Sequence, residues 1–464
     1  MIYDTDGKII LFGAGVYAKK YKALLEYLHM DFDYFTDNDS SKWGTVLYGK
    51  PVISPNELLL LSECRIIISS THEIAIREQL SNMGLTQCII GLDDLYRLCE
   101  QEMNVEINQK ITQSKTRTVL IDMYEGIGWG GSEIWAANLA LNLHNSGEKV
   151  VLIGGTEQPH LEPQYENLVQ RMPEQETIKH MVDFMELNLP CVFVNNFAGC
   201  GFMAAIILKK KYPKAVKIVS VIHSDNKSLF DAHMMLQKYI DKIFCVSQLI
   251  GVHMKALYAY ESQKYFFKEQ PVSVDLQWNR KWNGKIPLVI GYAGRLVKQA
   301  KRADLLTDLI HYLEMEKIDY LFQIAGEGEC LEKLEKFIQE KNLTAKVQLF
   351  GRLPKSEMAS FWKRQDVFVN ISEYEGTSLS MLEAMSYGCV PVVTDVSGAR
   401  EFIEEGKNGY ICDVGDIEGI AKCVAELAKN KEKLINYGEK CRRIIQECCN
   451  PQEYIKYWQE NMLH

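Results

Sequence analysis

The sequence predicts an α/β protein built on parallel sheets and divided into about three domains. Two observations carry this. The chain has 464 residues, enough to bury several cores. Short apolar runs also alternate with amphipathic stretches in three successive segments. These run from Lys8 to about Gln101, from Thr118 to about Val274, and from Ile286 to near Cys449. Two polar stretches, 102–115 and 278–285, separate them. The resulting organisation is a Rossmann-like domain at 1–103, a linker at 104–116, a second domain at 117–280, a third at 281–449, and a closing helix at 450–464. Pro451 opens that last helix, and Tyr454 and Trp458 give it an aromatic side.

Composition narrows the function classes. The net charge is -9, which argues against a general nucleic-acid binder. The 13 cysteines are scattered, without C-x-x-C pairs or zinc spacing, as expected of reduced thiols rather than a disulfide framework. Adjacent Cys448 and Cys449 read as packing residues at a helix end. No apolar run approaches the roughly 20 residues of a membrane-spanning helix, and the acidic Met1–Asp6 start lacks a signal pattern. The expectation is a cytoplasmic protein, at most peripheral at the inner face of a membrane. Lys209, Lys210, Lys211 and Lys214 are the candidate contact with anionic headgroups. The plain reading of the same cluster is a helix C-terminus whose dipole favours cations, and it is the preferred one.

The first segment opens with the strand Lys8–Phe12 and the loop Gly13-Ala14-Gly15-Val16-Tyr17-Ala18. This fits G-x-G-x-x-G/A, where glycines let backbone approach a pyrophosphate. Asp37, about 20 residues on, ends a second strand where a carboxylate holds a ribose in dinucleotide domains. Gly13, Gly15 and Asp37 therefore form a candidate site for an NAD-like ligand. The alternative is a domain whose glycines serve only the turn; no Tyr-x-x-x-Lys accompanies them. With Trp43-Gly44 and Gly49-Lys50-Pro51-Val52-Ile53, the segment resembles small Rossmann-like domains found beside polysaccharide-assembly enzymes.

In the second segment a strand ending at Met123 leads to Gly126-Ile127-Gly128-Trp129-Gly130-Gly131, with Ser132 expected to cap a helix ending near Gly147. Gly131 leaves bare backbone for a phosphate or sugar. His223 follows the strand Ile218–Ile222, at the strand end where open α/β sheets bind ligands.

The third segment is the most informative. Asp366–Ile371 reads as a strand, with a helix expected from about Thr377 to Gly388. Glu375 then lies at the helix mouth and Glu383 about two turns in, an interval of roughly 12 Å at about 1.5 Å per residue. That suits the reach from a donor's ribose to its sugar. The N–H groups of Gly376, Thr377, Ser378 and Leu379 are expected to face a diphosphate. Arg295 and Lys301, after the strand Leu288–Ala293, supply cations that would stabilise charge on a leaving phosphate.

The stretch Ser372–Asp395 resembles the retaining glycosyltransferases of family four, the glycosyl transferases group 1. So do Gly294-Arg295-Leu296, Ile324–Glu329, Phe350-Gly351, Gly398-Ala399-Arg400-Glu401, Gly130–Glu133, Val221-Ile222-His223 and Val246-Ser247. The likeness spans about three quarters of the chain, in family order. It implies a GT-B fold, two facing Rossmann-like domains with the C-terminal helix returning to the first, preceded here by a third small Rossmann-like domain. It also implies a UDP-sugar or other nucleotide-sugar donor, a hexosyl or N-acetylhexosaminyl group transferred with retention, and no required metal or cofactor. The acceptor is then a glycan, a lipid-linked sugar or a protein. By the same resemblance Glu375 lies near the sugar hydroxyls, Glu383 binds the ribose, Arg295 and Lys301 neutralise the diphosphate, His223 lines the sugar pocket, and Gly131 and Gly351 lie against the donor. Two departures stand out. The family has one residue fewer between its Arg and Lys, which makes Lys298 a rival to Lys301. Its Pro-Asn-Gly-Val-Asp is here Pro271-Val272-Ser273-Val274-Asp275. Two other classes remain: a non-catalytic GT-B partner of another transferase, and an NAD-dependent sugar-nucleotide enzyme acting through the first domain. The linkage, the acceptor and the oligomeric state are not written in the sequence.

Overall fold

A computed structural model describes residues 7–61, 63–98, 116–124, 130–156, 161–258, 261–277 and 287–463. The expected linker 104–116, except for its last residue, and the bridge 278–285 lie outside the described residues. The chain forms two compact units: Met1–Val221 with Lys227–Ile243, and Ile222–Asn226 with Phe244–His464.

The first unit contains a six-stranded sheet formed by β1 (Lys8–Phe12), β2 (Tyr34–Thr36), β3 (Val46–Leu47), β4 (Lys50–Ile53), β5 (Cys64–Ile68) and β6 (Ile89–Ile90). Its order is β3-β4-β2-β1-β5-β6, parallel except for the β3–β4 hairpin. Ile10, Phe12, Ile66 and Ile68 fill one core of this sheet. Each buried side chain of this size contributes about 1.5–3 kcal/mol. The unit also holds β7 (Thr118–Asp122), β8 (Val150–Gly155), β9 (Val169–Met172), β10 (Cys191–Asn195) and nearly all of β11 (Val216–Ile222), ordered β11-β10-β7-β8-β9. All five residues of β10 are buried, as a central parallel strand covered on both faces requires.

The two sheets of this unit are joined by polar as well as apolar contacts. Tyr239 Oη donates to Asp93 at 2.5 Å, Lys238 pairs with Asp93, and the Tyr96 and Tyr239 rings meet edge to face at 5.8 Å. Lys20, on the helix Ala18–Tyr27, is 8% exposed and reaches the Ala198 carbonyl at 3.3 Å.

In the second unit, the strands β12 (Lys242–Cys245, whose last two residues lie here) and β13 (Tyr265–Phe267) precede a six-stranded parallel sheet. That sheet comprises β14 (Leu288–Ala293), β15 (Tyr320–Ala325), β16 (Val347–Leu349), β17 (Val367–Asn370), β18 (Val390–Thr394) and β19 (Tyr410–Cys412). The order is β16-β15-β14-β17-β18-β19. Parallel pairing with helical crossovers buries both faces, one on Ile290, Phe322 and Val369 and the other on Trp362, Phe368 and Met385. The ends of β14 and β17 thereby lie side by side, and the loops that leave them form the candidate site. The closing helix Pro451–Trp458 continues as a π-helical turn through Leu463, and Tyr454 and Trp458 pack on Phe244 at 6.1 and 4.9 Å. Cys448 ends the preceding helix, and buried Cys449 accepts from Val272 N through its carbonyl, so both are packing residues. Among the described residues no helix is long and apolar enough to cross a membrane.

Candidate active site at the ends of β14 and β17

The site is built around Glu375. β17 ends at Asn370, whose side chain accepts from Ser372 N at 2.9 Å and folds the chain into a tight turn. That turn aims two donors at Glu375 Oε1: Ser372 Oγ at 2.9 Å and Asn370 Nδ2 at 3.4 Å. Lys301 Nζ forms an ion pair with the same oxygen. Burial alone pushes the Glu375 carboxyl up, but Lys301 and the hydroxyl and amide donors outweigh it, so the net shift is downward. The result is an ionised carboxylate, with its side chain only 13% exposed.

Lys301 reaches Glu375 because the loop after β14 is bent twice. Ala300 and Arg302, on either side of it, both lie in the left-handed region, with φ of 64° and 48°. The Ala300 carbonyl accepts from Glu373 N at 2.7 Å, which ties this loop to the one carrying Glu375. The extra residue between Arg295 and the lysine is thus absorbed locally. Lys298 is exposed and engages Glu329 through its backbone N–H at 3.0 Å, whereas Lys301 is the lysine brought to Glu375. Arg295 is exposed at the head of the same loop, and its carbonyl accepts from Tyr292 Oη at 3.3 Å.

The helix differs from its expected bounds. It runs Leu379–Ser386, and Ser378 is the N-cap, accepting from Met381 N at 3.3 Å. Gly376 and Thr377 precede the helix, so their N–H groups are not helical donors. Glu375 lies in the loop before the cap, and Glu383 is just over one turn into the helix. The physical reason is the cap itself: the serine hydroxyl competes for the first free N–H groups and fixes the start at Leu379. Glu383 is shifted the opposite way to Glu375. Burial raises its pKa, and the charge of Lys355 offsets this only in part. Gly376 is required by close approach, since a Cβ there would lie 2.2 Å from the His223 carbonyl oxygen. Gly351 is left-handed at φ +61°, and its carbonyl accepts from Gly326 N at 2.7 Å.

The remaining expected positions are spread more widely. His223 belongs to the segment Ile222–Asn226 of the second unit and meets Gly376 through its carbonyl. In the first unit the helix Gly131–Asn145 starts one residue before Ser132. Gly130 is its N-cap, and Ser132 Oγ instead donates to buried Glu133 at 2.8 Å. Gly131 has open space where a Cβ would be. The loop 125–129 before it lies outside the described residues. At the N-terminal glycine loop the Asp37 carboxylate accepts from Ala14 N at 2.8 Å, Asp39 N at 2.9 Å and Lys42 Nζ at 2.9 Å. Three of its roughly four acceptor sites are thus taken by the protein's own groups. Gly13, at φ +126°, is needed because a Cβ would fall 2.6 Å from the Ser69 carbonyl oxygen, while Gly15 is open. Of the lysine cluster, Lys209 is tied to Asp241 and to the Tyr239 carbonyl, and Lys210 lies over the Tyr239 ring at 5.7 Å.

Sequence reasoning missed Ser372 and Asn370 as partners of Glu375. The Asn-x-Ser spacing at a strand end was the available signal. It also missed Asp225, whose partners come from distant parts of the chain.

Residues 277–445 match the family described as Glycosyl transferases group 1, and residues 5–90 match the one described as C2185-like, N-terminal. The chain is 28% identical over 272 residues to the poly(ribitol-phosphate) alpha-N-acetylglucosaminyltransferase of Staphylococcus aureus, covering 58% of this chain and 49% of that one. It therefore spans about half the length of that relative. Among solved structures, HepE of Anabaena in complex with UDP-glucose superposes with a TM-score of 0.62 at 15% identity, covering 74% of this chain and 98% of that one. The pneumococcal O-GlcNAc transferase GtfA in complex with UDP and GlcNAc gives 0.61 at 13% identity, covering 75% and 98%. At those identities the likeness speaks for the fold. The chain carries a glycosyl transferases group 1 domain and has the GT-B fold, with an additional C2185-like domain at its N-terminus.

Proposed function

We propose that the chain is a retaining glycosyltransferase. It moves a hexosyl or N-acetylhexosaminyl group from a UDP-sugar to a glycan, lipid-linked or protein acceptor in surface polysaccharide or glycoconjugate assembly. One observation carries this reading: a largely buried, ionised Glu375 held by Lys301, Ser372 and Asn370, just before the capped helix that bears Glu383. The relatives add to it, since one is named for N-acetylglucosaminyl transfer and two are solved with UDP and a sugar or UDP-sugar.

In this reading Glu375 accepts hydrogen bonds from the donor sugar and Glu383 from the ribose. Arg295 and Lys301 stabilise the diphosphate as the bond from C1 to its oxygen breaks. The helix N-terminus at Leu379 adds its partial positive charge. The acceptor oxygen attacks C1 from the face the diphosphate leaves, and its proton passes to a phosphate oxygen. Charge neutralisation by side chains makes turnover independent of added metal, so chelation should leave the rate unchanged.

The test is a screen of nucleotide sugars with product analysis, run on the parent chain and on Glu375→Gln and Arg295→Ala. Each substitution should lower transfer by about a hundredfold. Near-normal turnover in either variant would sink the assignment. An absence of donor hydrolysis, and of thermal stabilisation by UDP, GDP or ADP, would favour the non-catalytic partner. For the N-terminal domain, the internally bonded Asp37 carboxylate and the Ser69 contact at Gly13 support a structural turn. An NAD-induced melting shift would overturn that.

A further inference from the structure

The segment Ile222–Asn226 belongs to the second unit, although Val221 and Lys227 on either side of it belong to the first. Asp225 is what anchors it. Its N–H donates to the Glu375 carbonyl at 3.1 Å. Its carboxylate accepts from His253 Nδ1, with Oδ2 at 2.9 Å and Oδ1 at 3.0 Å, and from Ser397 Oγ. His253 lies on the helix Gln248–Tyr258, and Ser397 lies in the loop after β18. One side chain thus joins three stretches of chain, and its own backbone holds a fourth. The Asp225 side chain is 18% exposed, so the three polar contacts replace most of its hydration. The same junction is reinforced next to it. Thr377 Oγ1 donates to the Val246 carbonyl at 2.8 Å, and the His223 carbonyl lies where a Cβ on Gly376 would be.

We infer that Asp225 is a positioning residue for sugar transfer. Through His253 and Ser397 it fixes the segment bearing His223, two residues before it, against the backbone of Glu375 and Gly376. This rests on the functional reading above, in which Glu375 meets the donor sugar, and on the family resemblance, which implies that His223 lines the sugar pocket. It goes beyond that reading because Asp225 itself is assigned no contact with substrate. The geometry makes the dependence sharp. Loss of the carboxylate frees the segment 222–226 without touching Lys301, Ser372 or Asn370, which hold the Glu375 carboxylate. The expected signature is therefore in kcat, with nucleotide binding preserved.

The experiment compares Asp225→Asn, His253→Ala, His253→Asn and Ser397→Ala with the parent chain. The readouts are kcat and KM for the UDP-sugar, the UDP dissociation constant, and the melting temperature. Misplacement by up to about 1 Å should lower kcat by about 10- to 100-fold in Asp225→Asn. UDP affinity should stay within about threefold, because Glu383 and Lys301 are untouched. An asparagine amide occupies nearly the position of the imidazole Nδ1, so His253→Asn should recover most of the rate lost in His253→Ala. A purely structural role would not produce that recovery at equal melting temperature. His253 is 45% exposed, so its variants keep the comparison usable if Asp225→Asn fails to fold. If the parent chain turns over and all four variants match its kcat, the inference is wrong and the functional reading stands. If the parent chain turns over no donor, the functional reading fails and takes the inference with it.

Discussion

Glu375 and Glu383 lie eight positions apart, yet their surroundings shift them in opposite directions. For Glu375 the folded pKa is depressed. The stability it contributes is present above the ordinary carboxylate value of 4.5 and is lost as pH falls through its folded value. For Glu383 the folded pKa is raised, so stability falls as pH rises from 4.5 through the folded value. On the proposed function, a ribose diol donates to Glu383 and favours its ionised form. UDP binding should then release protons, and affinity should strengthen with pH across that interval. Calorimetry in buffers of different ionisation enthalpy checks this, and Glu383→Gln should abolish the proton release. Lys301→Ala strands the Glu375 carboxylate with only Ser372 and Asn370. The cost should be roughly 2–3 kcal/mol, at or below the lower limit of about 3 kcal/mol for broken buried pairs, because both side chains keep some solvent contact. Denaturant titration measures it. The paired glutamates were legible in the sequence because their spacing and neighbours form a compact motif. The Asp225 contacts were not, because His253 and Ser397 lie 28 and 172 positions away.

At the scale of elements, the helix Leu379–Ser386 depends on its cap. Ser378→Ala removes the acceptor for Met381 N and should cost about 1 kcal/mol, read by thermal or chemical denaturation. The loop around Lys301 stores strain at Ala300 and Arg302. Ala300→Gly should keep or raise the melting temperature while lowering kcat several-fold, because relief of the left-handed conformation also loosens the lysine. A fall in stability with unchanged kcat would contradict this. Strands were easy to place in advance: Lys8–Phe12 and Leu288–Ala293 match the structure residue for residue, since buried apolar runs between turn residues leave little choice. Helix starts were harder. Ser132 was the expected cap of one helix, and Thr377 the expected start of another. Ser132 lies instead in the first turn as a partner of Glu133, and the other helix starts at Leu379, two residues later than expected, with Ser378 as its cap; only the competition for nearby N–H groups decides between such outcomes.

At the scale of the whole molecule, the N-terminal sheet is held within the first unit by a small polar cluster around Asp93. Asp93→Ala removes the acceptor of Tyr239 and the partner of Lys238, and it should lower the first melting transition by about 2–4 °C. Scanning calorimetry would show it, and an unchanged trace would mean that the apolar contacts carry this junction alone. The sequence by itself determined the α/β class, the three sheets and the resemblance to glycosyl transferases group 1, because apolar periodicity and short motifs are local properties. It also proposed Glu375, Glu383, Arg295 and a lysine as the candidate set for the chemistry. Tertiary structure alone decided that Lys301 rather than Lys298 pairs with Glu375, and that the Asp37 carboxylate accepts from Ala14 N of the glycine loop. It alone decided that Asp225 ties four stretches of chain together. Each of these depends on which loops leave neighbouring strand ends, and that is set by the order of strands in the sheet rather than by any run of adjacent residues.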